Sequence, residues 1–137
     1  MSTDFRDASD RHFEDGGLLE AQGRFANADH LYGFSAECSL KAAMLGVGHP
    51  KAAKGDWPDG HCDHVNALWV GFQSFAHGLL DAKYAAHVPP TNPFSTWHAN
   101  QRYWGRHHFT AGSVAPHKAA ADGCRRLLRE LILDGVF

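Results

Sequence analysis

The sequence contains no apolar run approaching the roughly eighteen residues that a bilayer-spanning helix needs, so no helical membrane span is expected. It also lacks the strict polar–apolar alternation of half-buried strands, and a sheet-based fold is not expected. Glycine-rich phosphate loops are missing: Gly46-Val47-Gly48-His49 carries none of the remaining positions of a Walker A or dinucleotide fingerprint. Cysteine is scarce, and Cys38, Cys62 and Cys124 form no paired framework, which suits a reducing compartment. Neither a CxxC nor an HExxH motif occurs. His61-Cys62-Asp63-His64 offers four ligand types in succession, but adjacent side chains do not converge on one ion, and zinc ligands are usually about two to four residues apart. No metal and no cofactor are expected. The first residues, Met1-Ser2-Thr3-Asp4-Phe5-Arg6-Asp7, are too polar and acidic for a signal peptide, so a soluble, cytoplasmic protein is expected.

What is present points to one folded domain over residues 1–137. A hydrophobic fraction of 44% with four tryptophans supports a single substantial core. The net charge of −2 conceals an asymmetry, with −5 over residues 1–65 and +3 over residues 66–137. Arg102, Arg106, Lys118, Arg125, Arg126 and Arg129 dominate the basic half, and His107 and His108 lie among them. Such a surface favours an anionic ligand, while a solvated face on a C-terminal helix explains the same charges without one. The acidic total argues against a long, non-specific DNA-binding surface.

The apolar spacing is helical almost throughout. A first amphipathic helix is expected over residues 4–21, closed by Gly23. A second, over 25–45, is apolar or small over most of its circumference and should be the most buried; its remaining stripe is His30, Phe34, Glu37 and Lys41. Residues 46–63 read as a Gly/Pro-rich loop. Asp63 can cap a third helix that carries Val65, Leu68, Trp69, Phe72, Phe75, Ala76 and Leu79 on one face. The prolines of residues 85–93 mark a second loop. Ser95 or Thr96 is expected to start a short helix reaching about residue 107, weakened by Gly105. Pro116 suits the first turn of a last helix ending near Gly135. The expected architecture is all-α, an antiparallel up-and-down bundle of four long helices plus a short one in fourth position.

Arg102-Tyr103-Trp104-Gly105-Arg106-His107 carries the chemistry. Arginine grips phosphate oxygens in a planar fork and never deprotonates, whereas histidine gives or takes a proton near neutrality. On a helix the two would sit about 140° apart. His108 offers a competing register, and Asn100 and Arg106 are further candidate phosphate contacts. Plainer readings exist for each residue. Arg102 can pair with Glu37 or Asp122, His107 and His108 can decorate a helix end, and Glu37 with Lys41 is a common intrahelical spacing. Tyr103 and Trp104 are expected in the core or at a dimer interface rather than as stacking platforms.

Two segments together resemble the HEPN (higher eukaryotes and prokaryotes nucleotide-binding) family. One is the run from Gly23 through Ala36-Glu37-Cys38-Ser39-Leu40-Lys41, similar to that family's second helix with its A-E-C-x-L-K signature. The other is Arg102 to His107, similar to its R-aromatic-x-x-x-H pattern. The resemblance implies a helical bundle that dimerises with both motifs facing one cleft. It also implies a metal-independent endoribonuclease of the toxin or defence type, or alternatively a non-catalytic nucleotide-binding or protein-interaction module. Arg102 and His107 then become the catalytic pair. Glu37 and Lys41 become the supporting polar pair, with Asn100, Arg106 and His108 near the substrate. The implied partners are RNA or a nucleotide, a second copy of the chain, and an antitoxin or nucleotidyltransferase. Some members place a tyrosine two residues after the histidine, where a partner enzyme adenylylates it. Phe109 stands here and has no hydroxyl, so silencing by that route is not expected.

Overall fold

The computed structural model describes residues 3–48, 64–79 and 82–136. They are all-helical, with no strand among the described residues and five α-helices: α1 (Phe5–Ala21), α2 (Phe25–Gly46), α3 (Val65–Leu79), α4 (Ala82–Ala85) and α5 (Ala111–Leu133). No helix among them is long and apolar enough to cross a membrane. The loop expected over 46–63 and the Asp63 cap lie, apart from residues 46–48, outside the described residues.

Local chemistry sets the helix ends. Asp4 caps α1 by accepting the Asp7 backbone N–H at 3.0 Å. Gly23, at φ +71°, ends it: the Gly23 N–H donates to Glu20 and the Arg24 N–H to Leu19. The chain turns back at once into α2. Thr110 caps α5, and its side chain and that of Ser113 bond reciprocally to each other's backbone N–H.

Small side chains bring α1 and α2 into close contact. Ser9 Oγ donates to the Ser35 carbonyl at 3.1 Å, Ser35 Oγ donates back to the Ser9 carbonyl at 2.8 Å, and Ser9 and Ser39 hydroxyls lie 2.5 Å apart. Further along, Gly16 faces the Tyr32 ring, which a Cβ would meet at 3.0 Å. These pairings run in opposite directions along the two helices, so α1 and α2 are antiparallel. Asp10–Arg125 and Glu20–Lys118 give the same relation between α1 and α5.

The α2 helix is buried over most of its length, consistent with its small and apolar circumference. Around it the core collects Trp69, Phe72, Phe94, Trp97, Leu127 and Leu131. Gly33 creates a slot for Trp97, since a Cβ there would overlap the indole. Trp97 Nε1 then donates to the Asp29 carbonyl at 3.1 Å.

Two expectations fail. Residues 95–107 form no continuous helix; they make two short 3₁₀ turns, Ala99–Tyr103 and Arg106–His108, separated by extended backbone at Trp104 and Gly105. Trp97 is pulled into the Gly33 slot and the Gln101 amide into a bond with Asp29, and these long-range anchors override the local pattern. The short helix is instead α4. Pro116 also lies inside α5 rather than in its first turn, because the Thr110–Ser113 pair starts the helix earlier. There proline removes a donor that the Gly112 carbonyl would otherwise accept.

Candidate phosphate-binding and proton-transfer site

The polar stripe of α2 gathers several buried and partly buried titratable side chains. Lys41 Nζ donates to Glu37 Oε1 at 2.9 Å, and both side chains are largely buried. The other Glu37 oxygen faces His64 Nδ1 at 3.3 Å. Two turns before Glu37, the His30 ring stacks on Trp97 (5.4 Å, 16°) and meets Phe34 edge-on at 4.5 Å. His12 of α1 approaches Phe34 from the other side at 5.8 Å.

His30 Nδ1 is buried and finds no hydrogen-bond partner among the described residues. Burial, and after it the Arg102 charge, hold the His30 pKa below the ordinary imidazole value; the carboxylates of Asp29 and Glu37 pull the other way. His12 is lowered as well, first by burial and then by Arg11. Both rings are therefore neutral at neutral pH and able to accept a proton. Arg102 is thus an electrostatic neighbour of an aromatic pocket holding an unprotonated imidazole.

The remaining candidates are distributed differently. Arg102 is exposed, with its guanidinium 4.9 Å from the Tyr103 ring centre. Neither plain pairing forms: Glu37 takes Lys41, and Asp122 takes Arg126 at 3.0 Å. Asn100 is exposed on the same turn as Arg102. His107 lies on the next turn, its ring folded back over Gly105, where a Cβ would meet it at 2.8 Å, and 4.1 Å from the His108 ring. No hydrogen bond among the described residues fixes His107 or joins it to Arg102. Arg106 lines a cleft of about 290 Å³ with Arg24 and Trp104; His108 lines a neighbouring one of about 330 Å³. Tyr103 and Trp104 are not core residues, being 76% and 45% exposed.

Sequence reasoning missed the roles of His12, His30, His64 and Trp97. His30 was visible on the Glu37 stripe at helical spacing. The approach of His12, His64 and Trp97 depends on packing between distant segments. Neither described cysteine offers a nucleophile. Burial and then Glu37 push the Cys38 thiol up to about 11, and burial pushes Cys124 up to about 12. Among the described residues no three His, Cys, Asp or Glu side chains form a metal-binding group, and His61, Cys62 and Asp63 lie outside them.

No protein-family model matches the chain, and no curated protein or solved structure matches it.

Proposed function

We propose that the chain is an RNA-directed, HEPN-type helical protein, acting as a metal-independent endoribonuclease in a cytoplasmic toxin or defence role. The observation that supports this reading is an exposed run of cations and aromatics, Arg102 to His108, whose Arg102 charge helps to hold the partly buried His30 below the ordinary imidazole value. A fixed cation and imidazoles are what RNA cleavage requires, since RNA supplies its own nucleophile. The ribose 2′-hydroxyl attacks the adjacent phosphorus. One base takes the 2′-proton, and one acid protonates the departing 5′-oxygen. The products are a 2′,3′-cyclic phosphate and a free 5′-hydroxyl.

Arg102 holds the non-bridging oxygens, where a positioned donor is worth on the order of 3 kcal/mol. His107 supplies one proton transfer, typically worth about 10²–10⁴-fold. Its exposed ring gains a partner when two copies of the chain bring their 102–108 turns to one cleft, so the active form is a homodimer. Exposed Tyr103 and Trp104 suit that interface or the bases of a bound strand. An antitoxin, not an adenylylating enzyme acting at Phe109, would silence it.

One observation favours the second reading, a non-catalytic nucleotide- or protein-binding module. Arg102 and His107 occupy separate turns, and no hydrogen bond among the described residues holds the His107 ring. Incubation of a mixed RNA substrate in EDTA separates the two. Wild type should produce cyclic-phosphate ends, and Arg102→Ala and His107→Ala should both lose about 10²-fold or more. Equal residual cleavage in all three proteins, or none in any, overturns the catalytic reading in favour of the binding module.

A further inference from the structure

Sharing Trp104 and Phe109 with the cleft of Arg24 and Arg106 is the cleft of about 330 Å³, lined by a buried relay that the cleavage chemistry does not use. Asp29 is 2% and His117 5% exposed. Gln101 Nε2 donates to Asp29 Oδ2 at 2.8 Å, and His117 Nδ1 lies 2.5 Å from Asp29 Oδ1. On the other edge of the imidazole, Nε2 is 3.1 Å from the hydroxyl of Thr96, an exposed residue that lines the cleft. Phe94 stacks on the His117 ring at 5.4 Å and 16°, fixing its plane.

This chain of partners sets the polarity of Thr96. A carboxylate only accepts, so Nδ1 carries the proton toward Asp29. In the neutral imidazole Nε2 is then an acceptor, and the Thr96 O–H donates to it. The hydroxyl's lone pairs remain for the cleft, which therefore presents an acceptor at its floor. The walls are Pro93, Pro116, Phe109 and the half-exposed indole of Trp104. A flat aromatic ligand stacks on such an indole for about 1–3 kcal/mol, and the cleft has the size of a small-ligand pocket. Trp104 also borders the cleft of Arg24 and Arg106, so a ligand seated on it has cations within reach for its phosphate.

We infer that this cleft is a nucleobase pocket in which the Thr96 hydroxyl accepts a hydrogen bond from the exocyclic amino group of an adenine or a cytosine. The choice of ligand class rests on the RNA reading above, but the pocket needs no cleavage to operate. Two ligand pairs differing only in the amino group test it by equilibrium binding at mildly alkaline pH. These are AMP against purine riboside 5′-monophosphate, and CMP against 2-pyrimidinone riboside 5′-monophosphate. The amino-bearing member of at least one pair should bind about five- to tenfold tighter, the worth of one net hydrogen bond. Thr96→Val should erase the preference and Thr96→Ser should keep it. Thr96→Ser keeps the bond to His117, and a thermal melt of Thr96→Val checks that the chain stays folded without it. Equal binding within both pairs, or a preference that survives Thr96→Val, overturns the pocket. RNA cleavage lost in Arg102→Ala alongside equal nucleotide binding removes this inference and leaves the cleavage reading standing. Amino preference without cleavage does the reverse.

Discussion

Two groups of polar residues adjoin in the chain at Gln101 and Arg102 and differ in almost every physical respect. Asp29, Gln101 and His117 are buried and mutually bonded, tying α2, the Ala99–Tyr103 turn and α5 to one another. Arg102, Arg106, His107 and His108 follow Gln101 and are exposed; among the described residues Arg102 makes a cation–π contact with Tyr103, and the His107 and His108 rings touch each other. The first group positions the second. Gln101 is the anchor on which the Arg102 turn hangs, and Trp97 in its glycine slot fixes the segment's approach to α2. Side chains left without internal partners are the ones free to meet a ligand, whereas the satisfied ones make the scaffold rigid.

The contrast is sharpest in stability. Asp29→Ala should cost the most, about 3–5 kcal/mol, because it strands a buried histidine and a buried amide together. Urea unfolding of the variant measures it; a loss under about 1 kcal/mol would mean the relay is not a structural anchor. Gly33→Ala should follow at about 1–3 kcal/mol, since the added methyl forces Trp97 out of its slot. A near-UV spectrum that keeps its tryptophan signature would contradict that displacement.

A smaller effect appears as pH dependence. His12 and His30 have folded pKa values below the unfolded one, so the unfolded chain binds more protons in the window between them. Stability is therefore full above the ordinary imidazole value of 6.5 and falls as the pH drops through it toward the folded values. Thermal melts from about pH 7.5 to about pH 5.5 should show the decline, and His30→Gln should flatten it. An unchanged slope would mean that His30 is not one of the protonating groups. Least affected should be Arg102→Ala, with an unfolding midpoint indistinguishable from wild type and a clear loss of RNA binding or cleavage. A destabilised Arg102→Ala would place that side chain with the scaffold and dissolve the contrast.

The helices of this fold were largely legible in the sequence because their signals are local. The expected span 4–21 is realised as Phe5–Ala21 and 25–45 as Phe25–Gly46, each set by a cap, a left-handed glycine or a small-residue face. Residues 95–107 misled because their conformation is decided by residues far away, Gly33 receiving Trp97 and Asp29 receiving Gln101. The Glu37–Lys41 pair could be read from a spacing of four. The Asp29–His117–Thr96 relay could not, since Asp29 and His117 are 88 positions apart and neither residue stands out among eleven histidines and a dispersed set of acids.

The same separations impose an order of assembly. The serine contacts between α1 and α2 close loops of 26 and 30 residues, whereas Asp29–His117 and Asp10–Arg125 close loops of 88 and 115. Short closures cost less entropy and form sooner, so the α1–α2 hairpin is the natural early product during synthesis, and α5 docks last. The floor of the proposed nucleobase pocket depends on that docking, because α5 supplies His117. A chain in which α5 has not docked still carries Arg102 and the paired histidines, but it lacks the His117 side of the proposed nucleotide pocket.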